Sequence, residues 1–270
     1  MLQHSKPILL VIGSERFYSK ALPSSLEELF TLIHFDNLGF SHSPNYSESL
    51  YSDLNSILLD IESFRSQKQL NNFLVFGHSG HAYMALEYAK TYPQHVSALI
   101  LCACSPNLHE NTTQKIAGYF ELEADTERKE IFKKDMSGLS EKISKNPEAR
   151  FVHFALAQKA KNWFDPNFDA SKLWEGVPTH LPTLDWVWGK LFHDYELNLG
   201  GMPLSCPTLL IHGKHDYVGG SLSLWDSYLS DFLHLNTKIF QKSGHYPMVE
   251  EPELFEETLI SWYKSSWEKP

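Results

Sequence analysis

Six short runs of apolar residues punctuate the chain, and between them the apolar positions fall at helical spacing. Ile8–Ile12 is apolar throughout and stops at Gly13, the pattern of a parallel strand covered on both faces. Thr31–Phe35, Phe73–Phe76, Val96–Cys102, Thr208–His212 and Thr237–Phe240 have strand length and β-branched or aromatic character. Ser24–Phe30 reads as a short helix with Ser24 as cap and Glu27 at the capping-box position. Leu50, Leu54, Ile57, Leu58 and Ile61 recur at helical spacing, as do Ala82, Ala85, Leu86 and Ala89 ahead of Pro93. A helix with Leu222, Trp225, Tyr228 and Leu229 on one face follows the fifth run. The last helix starts at Pro252-Glu253 and buries Phe255, Leu259 and Trp262.

Alternation of strand and helix predicts an α/β fold with a parallel sheet and right-handed crossovers. Between residues 105 and 206 the strand signal disappears, and amphipathic stretches around Thr126–Lys134, Pro147–Lys161 and Leu184–Phe192 take over. About a hundred residues is too long for a loop. The expected organisation is a core of residues 1–104 and 207–270 with a helical unit, 105–206, inserted in it. Trp163, Trp174, Trp186 and Trp188 lie in that unit, where tryptophans pack helices together and one or two can line an apolar pocket.

Composition narrows the function. A chain of 270 residues, 42% of them hydrophobic, can bury a full core. Its net charge of −10 argues against nucleic acid or an anionic membrane as the main partner. Cys102, Cys104 and Cys206 are too few and too badly spaced for a disulfide framework or a zinc site, so buried free thiols are expected. Ile8–Ile12 is too short for a signal-peptide core, and no run approaches the roughly twenty apolar residues of a membrane span. A cytoplasmic protein, monomer or homodimer, with a small-molecule substrate is expected. No cofactor or metal is called for: Gly219-Gly220 lacks the Lys-Ser/Thr sequel of a nucleotide loop.

Chemistry enters where strands end. Phe73–Phe76 runs into Gly77-His78-Ser79-Gly80-His81 and then directly into a helical pattern, so a serine sits on a sharp turn between strand and helix. Asp216 follows the fifth run within Gly213-Lys214-His215-Asp216, and His245 follows the sixth within Ser243-Gly244-His245-Tyr246-Pro247. In an open α/β sheet the carboxyl ends of the strands share one edge, so the three residues should converge there.

Nucleophile, acid and histidine in this order and placement resemble the α/β-hydrolase fold family, over nearly the whole chain. Asp36-Asn37-Leu38-Gly39-Phe40-Ser41 also looks like the loop after that family's fourth strand. The resemblance implies a mostly parallel sheet flanked by helices, an inserted helical cap, and Ser79, Asp216 and His245 as a triad acting through an acyl-enzyme. It implies oxyanion donors at the N–H groups of Gly80 and Ser14. Two departures stand out: His81 replaces the second glycine of the turn, and the oxyanion loop has become Ile12-Gly13-Ser14-Glu15, with a charge beside the site.

The stretch Trp163–Val177 looks like the cap of proline iminopeptidase-like hydrolases, in which acidic groups such as Glu175, Glu121 or Glu123 would hold a substrate ammonium. His78, Trp163, Trp174, Glu175 and Trp186 are the candidates for substrate contact. A small ester, thioester, amide or carbon–carbon bond all suit the same triad. The alternative from another class is a non-catalytic protein of this fold that holds a small ligand.

Overall fold

The computed structural model describes residues 6–41, 51–198 and 201–267. Six strands lie side by side in the order β2-β1-β3-β4-β5-β6, all pairings parallel: β1 (Ile8–Gly13), β2 (Thr31–Asp36), β3 (Phe73–His78), β4 (Val96–Cys102), β5 (Thr208–Gly213) and β6 (Leu235–Phe240). Each apolar run of the sequence becomes one strand. Strand periodicity of two explains why the runs are continuous. Leu10, Ile12, Val75, Leu99 and Leu101 face one buried layer, while Leu9, Val11, Leu74, Phe76 and Ile100 face the other. Helices α2 (Leu54–Gln67) and α3 (His81–Thr91) cover the first layer. Helix α1 (Glu15–Ala21) and the last helix (Pro252–Trp267) cover the second, the latter burying Phe255, Leu259 and Trp262 as expected. Full burial of each such side chain contributes about 1.5–3 kcal/mol, which makes the two layers the main source of cohesion.

Several local expectations are corrected. Helix α1 was not foreseen: its seven residues bury only Phe17, Tyr18 and Ala21, too few for a periodic signal. Ser24–Glu28 is a 3-10 turn that follows Pro23, and Ser24 caps nothing. Leu222–Asp231 is also 3-10, with three residues per turn, so Leu222, Trp225 and Tyr228 keep one face against the core while Leu229 leaves it and is exposed. Leu50 lies outside the described residues. Cys102 and Cys104 are buried free thiols, and Cys206 is partly buried.

Between β4 and β5 the described residues form helices and turns, with one isolated bridge, Leu204 to Phe232. The helices are α4 (Glu110–Glu123), α5 (Thr126–Ser137), α6 (Leu139–Lys145), α7 (Arg150–Ala157), α8 (Lys159–Asn162), α9 (Ser171–Trp174) and α10 (Leu181–Trp186), the last continuing into a π turn at Val187–Leu191. A buried guanidinium fixes the middle of this segment. Arg128 donates to the carbonyls of Ala160, Trp163 and Phe164 at 2.8, 2.7 and 2.5 Å. Charge-assisted bonds of this kind satisfy a buried cation. Among the described residues no helix is long and apolar enough to cross a membrane.

Candidate active site

Ser79 stands between β3 and α3 with φ 56°, a left-handed conformation that a residue with a side chain rarely adopts. The turn tolerates it because the chain must reverse within two residues, and Gly77 makes room: a Cβ there would lie 2.6 Å from Ala82 Cα and from the His81 carbonyl. Ser79 N–H donates to the Cys102 carbonyl at 2.9 Å, which ties the turn to β4. Gly80 follows at the N-terminal end of α3, where first-turn N–H groups lack intrahelical acceptors.

The three strand ends converge. Ser79 Oγ lies 2.9 Å from His245 Nε2, and His245 Nδ1 lies 2.9 and 3.0 Å from the two Asp216 carboxylate oxygens. Asp216 is fully buried, and its Oδ1 also accepts the N–H groups of Val218 and Gly219 at 2.9 and 2.7 Å. A carboxylate held this way keeps the proton of His245 on Nδ1 and leaves Nε2 free to accept one from the serine.

His78 lines the cavity and is also tied into the protein through its ring. Its Nε2 donates to the carbonyl of His245 at 2.7 Å, and its Nδ1 faces the Tyr18 hydroxyl at 3.1 Å, so both ring nitrogens are engaged. Tyr18 also lies 3.1 Å from His81 Nδ1. The tautomers follow from the carbonyl, which can only accept. His78 therefore carries its proton on Nε2 and accepts Tyr18 O–H on Nδ1; Tyr18 oxygen then accepts His81 Nδ1–H. Burial holds both rings neutral: His78 is pushed well below the ordinary histidine value, and His81 is lowered to about 3.

A cavity of about 230 Å³ opens beside Ser79. Ser14, Ser79, His81 and His245 line its sheet side. Phe151, Phe154, Trp174 and Trp188 line the side contributed by the helical segment. No carboxylate is among the described residues that line it. The volume is below the ~300–1,000 Å³ of a site for drug-sized ligands.

Of the residues expected to touch substrate, His78 and Trp174 reach the cavity. Trp163 is instead buried and stacks on Tyr246 with centroids 4.4 Å apart. Trp186 is 40% exposed and outside the lining. Glu175 is exposed, also outside the lining, and its backbone carbonyl accepts the Lys20 ammonium at 2.5 Å. Glu121 and Glu123 are exposed, and Glu121 pairs with Lys129 at 3.6 Å. Trp188, one of the four tryptophans noted as possible pocket residues but not chosen among the candidates for substrate contact, lines the cavity two residues from Trp186; it lies in the π turn, which spacing does not reveal. Ser14 lines the cavity and is buried. Glu15 is exposed, borders a separate surface depression, and its N–H is taken by Asp36 at 2.6 Å.

Residues 10–252 match the family model described as alpha/beta hydrolase fold. The chain is 37% identical over 254 residues to the AB hydrolase superfamily protein YclE of Bacillus subtilis, covering 94% of this chain and 90% of that protein. Among solved structures it is similar to the proline iminopeptidase of Mycobacterium smegmatis, with a TM-score of 0.68 and 15% identity, covering 98% of this chain and 91% of that one. It is also similar to an esterase from Exiguobacterium antarcticum, with a TM-score of 0.64 and 19% identity, covering 96% and 92%. At those identities the structural likenesses speak for the fold alone.

Proposed function

Because the chain belongs to the α/β-hydrolase fold family, we propose that it is a serine hydrolase that transfers a small, uncharged acyl group from an ester or thioester through Ser79 to water. The observation that carries this reading is the unbroken contact from Ser79 through His245 to Asp216 at the mouth of an aromatic cavity.

In the proposed mechanism His245 Nε2 takes the Ser79 proton as Oγ attacks the substrate carbonyl. The N–H groups of Gly80 and Ser14 receive the charge on the tetrahedral oxygen. Collapse breaks the bond to the leaving group, which His245 protonates. Water, activated by the same nitrogen, then cleaves the acyl-enzyme, and Asp216 stabilises the imidazolium formed in both halves. Residues 105–206 act as the cap whose aromatic rings select the acyl group.

An aminopeptidase needs a carboxylate for the substrate ammonium, and none of the described lining residues supplies one. That favours an uncharged acyl group over an amino-terminal residue. The exposed position of Glu15, outside the cavity lining, supports catalysis over a non-catalytic binding protein, because its charge stands away from the oxyanion position.

A fluorophosphonate probe tests the reading without the natural substrate. Labelling of the parent protein that disappears in Ser79→Ala and His245→Ala is expected, followed by turnover of short acyl esters. A folded parent that takes no label would overturn it.

A further inference from the structure

Two polar atoms beside Ser79 have no partner in the protein. His81 Nε2 and Ser14 Oγ are both buried without a hydrogen bond, in residues only 6% and 2% exposed, and both residues line the cavity. Neither belongs to the proton path from Ser79 to Asp216. A buried polar group left unpaired costs about 1–3 kcal/mol, so two of them lining one cavity call for a ligand or water there.

Their hydrogen-bonding characters are fixed. The chain of contacts through His78 and Tyr18 places the His81 proton on Nδ1, so Nε2 offers a lone pair only. Its depressed pKa, due to burial, keeps it an acceptor at neutral pH. Ser14 sits at the N-cap of α1, where a serine hydroxyl ordinarily accepts a backbone N–H; here it makes no such bond, and the first N–H of the helix goes to Asp36. Its hydroxyl hydrogen is therefore available to a ligand. The remaining lining is mostly aromatic; its polar side chains include Gln158 and Asn162, the latter donating to the Ala155 carbonyl at 3.2 Å.

A hydroxyl serves both at once, donating to the first and accepting from the second. We infer that His81 and Ser14 are specificity-determining residues that bind a hydroxyl on carbon 2 or 3 of the substrate's acyl group. The position follows from Ser14 itself. Because the Ser14 N–H is assigned to the substrate carbonyl oxygen and its Oγ is only three bonds away, the hydroxyl it meets is placed close to that carbonyl, on carbon 2 or 3. The inference rests on the reading of Ser79 as the nucleophile.

Methyl butyrate, methyl 2-hydroxybutyrate and methyl 3-hydroxybutyrate provide the test, with acid release followed in a pH-stat and each rate divided by that ester's hydroxide-catalysed rate. The parent enzyme should prefer at least one hydroxy ester by about 10–100-fold in kcat/KM, the discrimination expected of a site that hydrogen-bonds a substrate hydroxyl. His81→Phe and Ser14→Ala should each bring that ratio towards one. His81→Gln, which keeps an acceptor, should retain part of it. A parent ratio within about twofold of one overturns the inference and assigns the two atoms to an ordered water. A ratio that survives both Phe and Ala substitutions overturns it as well, as does Ser79 labelling without turnover of either hydroxy ester. Absence of both labelling and turnover is a different outcome, in which the hydrolase reading itself fails. Should His81→Phe not fold, the parent series and Ser14→Ala decide alone.

Discussion

The backbone N–H of His245 donates to the carbonyl of Asn162 at 2.6 Å, so the histidine at the sheet edge hangs from the helical segment above it. Gly244 permits this approach, because a Cβ there would collide with the same carbonyl oxygen. Gly244→Ala should therefore displace the imidazole relative to Ser79. A shift of about 1 Å is enough for a rate loss on the order of 10²-fold. Ester turnover and the rate of fluorophosphonate labelling should fall together, and an unchanged labelling rate would show that the loop absorbs the methyl group elsewhere.

Asp216→Asn keeps an oxygen for the N–H groups of Val218 and Gly219 but presents an amide to His245 Nδ1. The fold should survive while the imidazole loses its productive tautomer. A drop in kcat on the order of 10³–10⁴-fold is expected, with an unfolding midpoint near that of the parent. A loss below about tenfold would mean that the carboxylate has little to do with the tautomer.

Glu15→Gln should change ester turnover by less than about twofold, since an exposed charge outside the cavity is largely screened. Its backbone bond to Asp36 does not depend on the side chain. A several-fold rise in rate would place the carboxylate's field on the oxyanion after all.

His78, His81 and His212 are buried, and burial lowers the pKa of each. The unfolded chain binds protons on these rings below about pH 6.5, and the folded chain does not, so their contribution is fully present above 6.5 and is lost as the pH falls towards the folded values. For His81, with a folded value of about 3, the loss by pH 5 is roughly 2 kcal/mol. Glu250, raised to about 7 by burial, acts in the opposite sense, so the parent should be compared with His81→Phe rather than read alone. Urea unfolding at pH 7.5 and 5.0 should show a smaller acid-induced change in the variant; equal changes would contradict a neutral buried His81.

Three tryptophans separate packing from recognition. Trp163→Ala empties a fully buried site against Tyr246 and should cost about 3–5 kcal/mol of stability. Trp186→Ala, at a half-exposed position, should stay within about 0.5 kcal/mol. Trp188→Ala should act chiefly on KM and on the acyl lengths accepted, because its ring borders the cavity and packs edge-on to His81 with centroids 5.2 Å apart. Denaturant midpoints and an ester chain-length series check all three.

The sheet and the convergence of Ser79, Asp216 and His245 were legible because both rest on local signals. A strand buried on two faces writes itself as an unbroken apolar run, and a residue just past such a run must stand at the sheet edge. Which indoles face the cavity was not legible. Trp163, Trp186 and Trp188 carry no local signal that separates them and are sorted by docking over long range and, at Trp188, by the π turn at Val187–Leu191. The engagement of His78 was equally hidden, since its partners, Tyr18 and the His245 carbonyl, are 60 and 167 residues away.

Arg128 gives residues 160–164 a significance for anyone who would re-engineer this chain. Its guanidinium holds the carbonyls of Ala160, Trp163 and Phe164, and the same stretch carries the carbonyl that suspends His245 and the Phe164 N–H taken by Glu250 at 2.5 Å. The helical segment is thus not a detachable module. A graft that imports a foreign selectivity should replace the walls around Phe151, Trp174 and Trp188 while leaving this anchor and its arginine in place, because exchanging the whole unit would transplant the hinge of the chemistry along with the shape of the pocket.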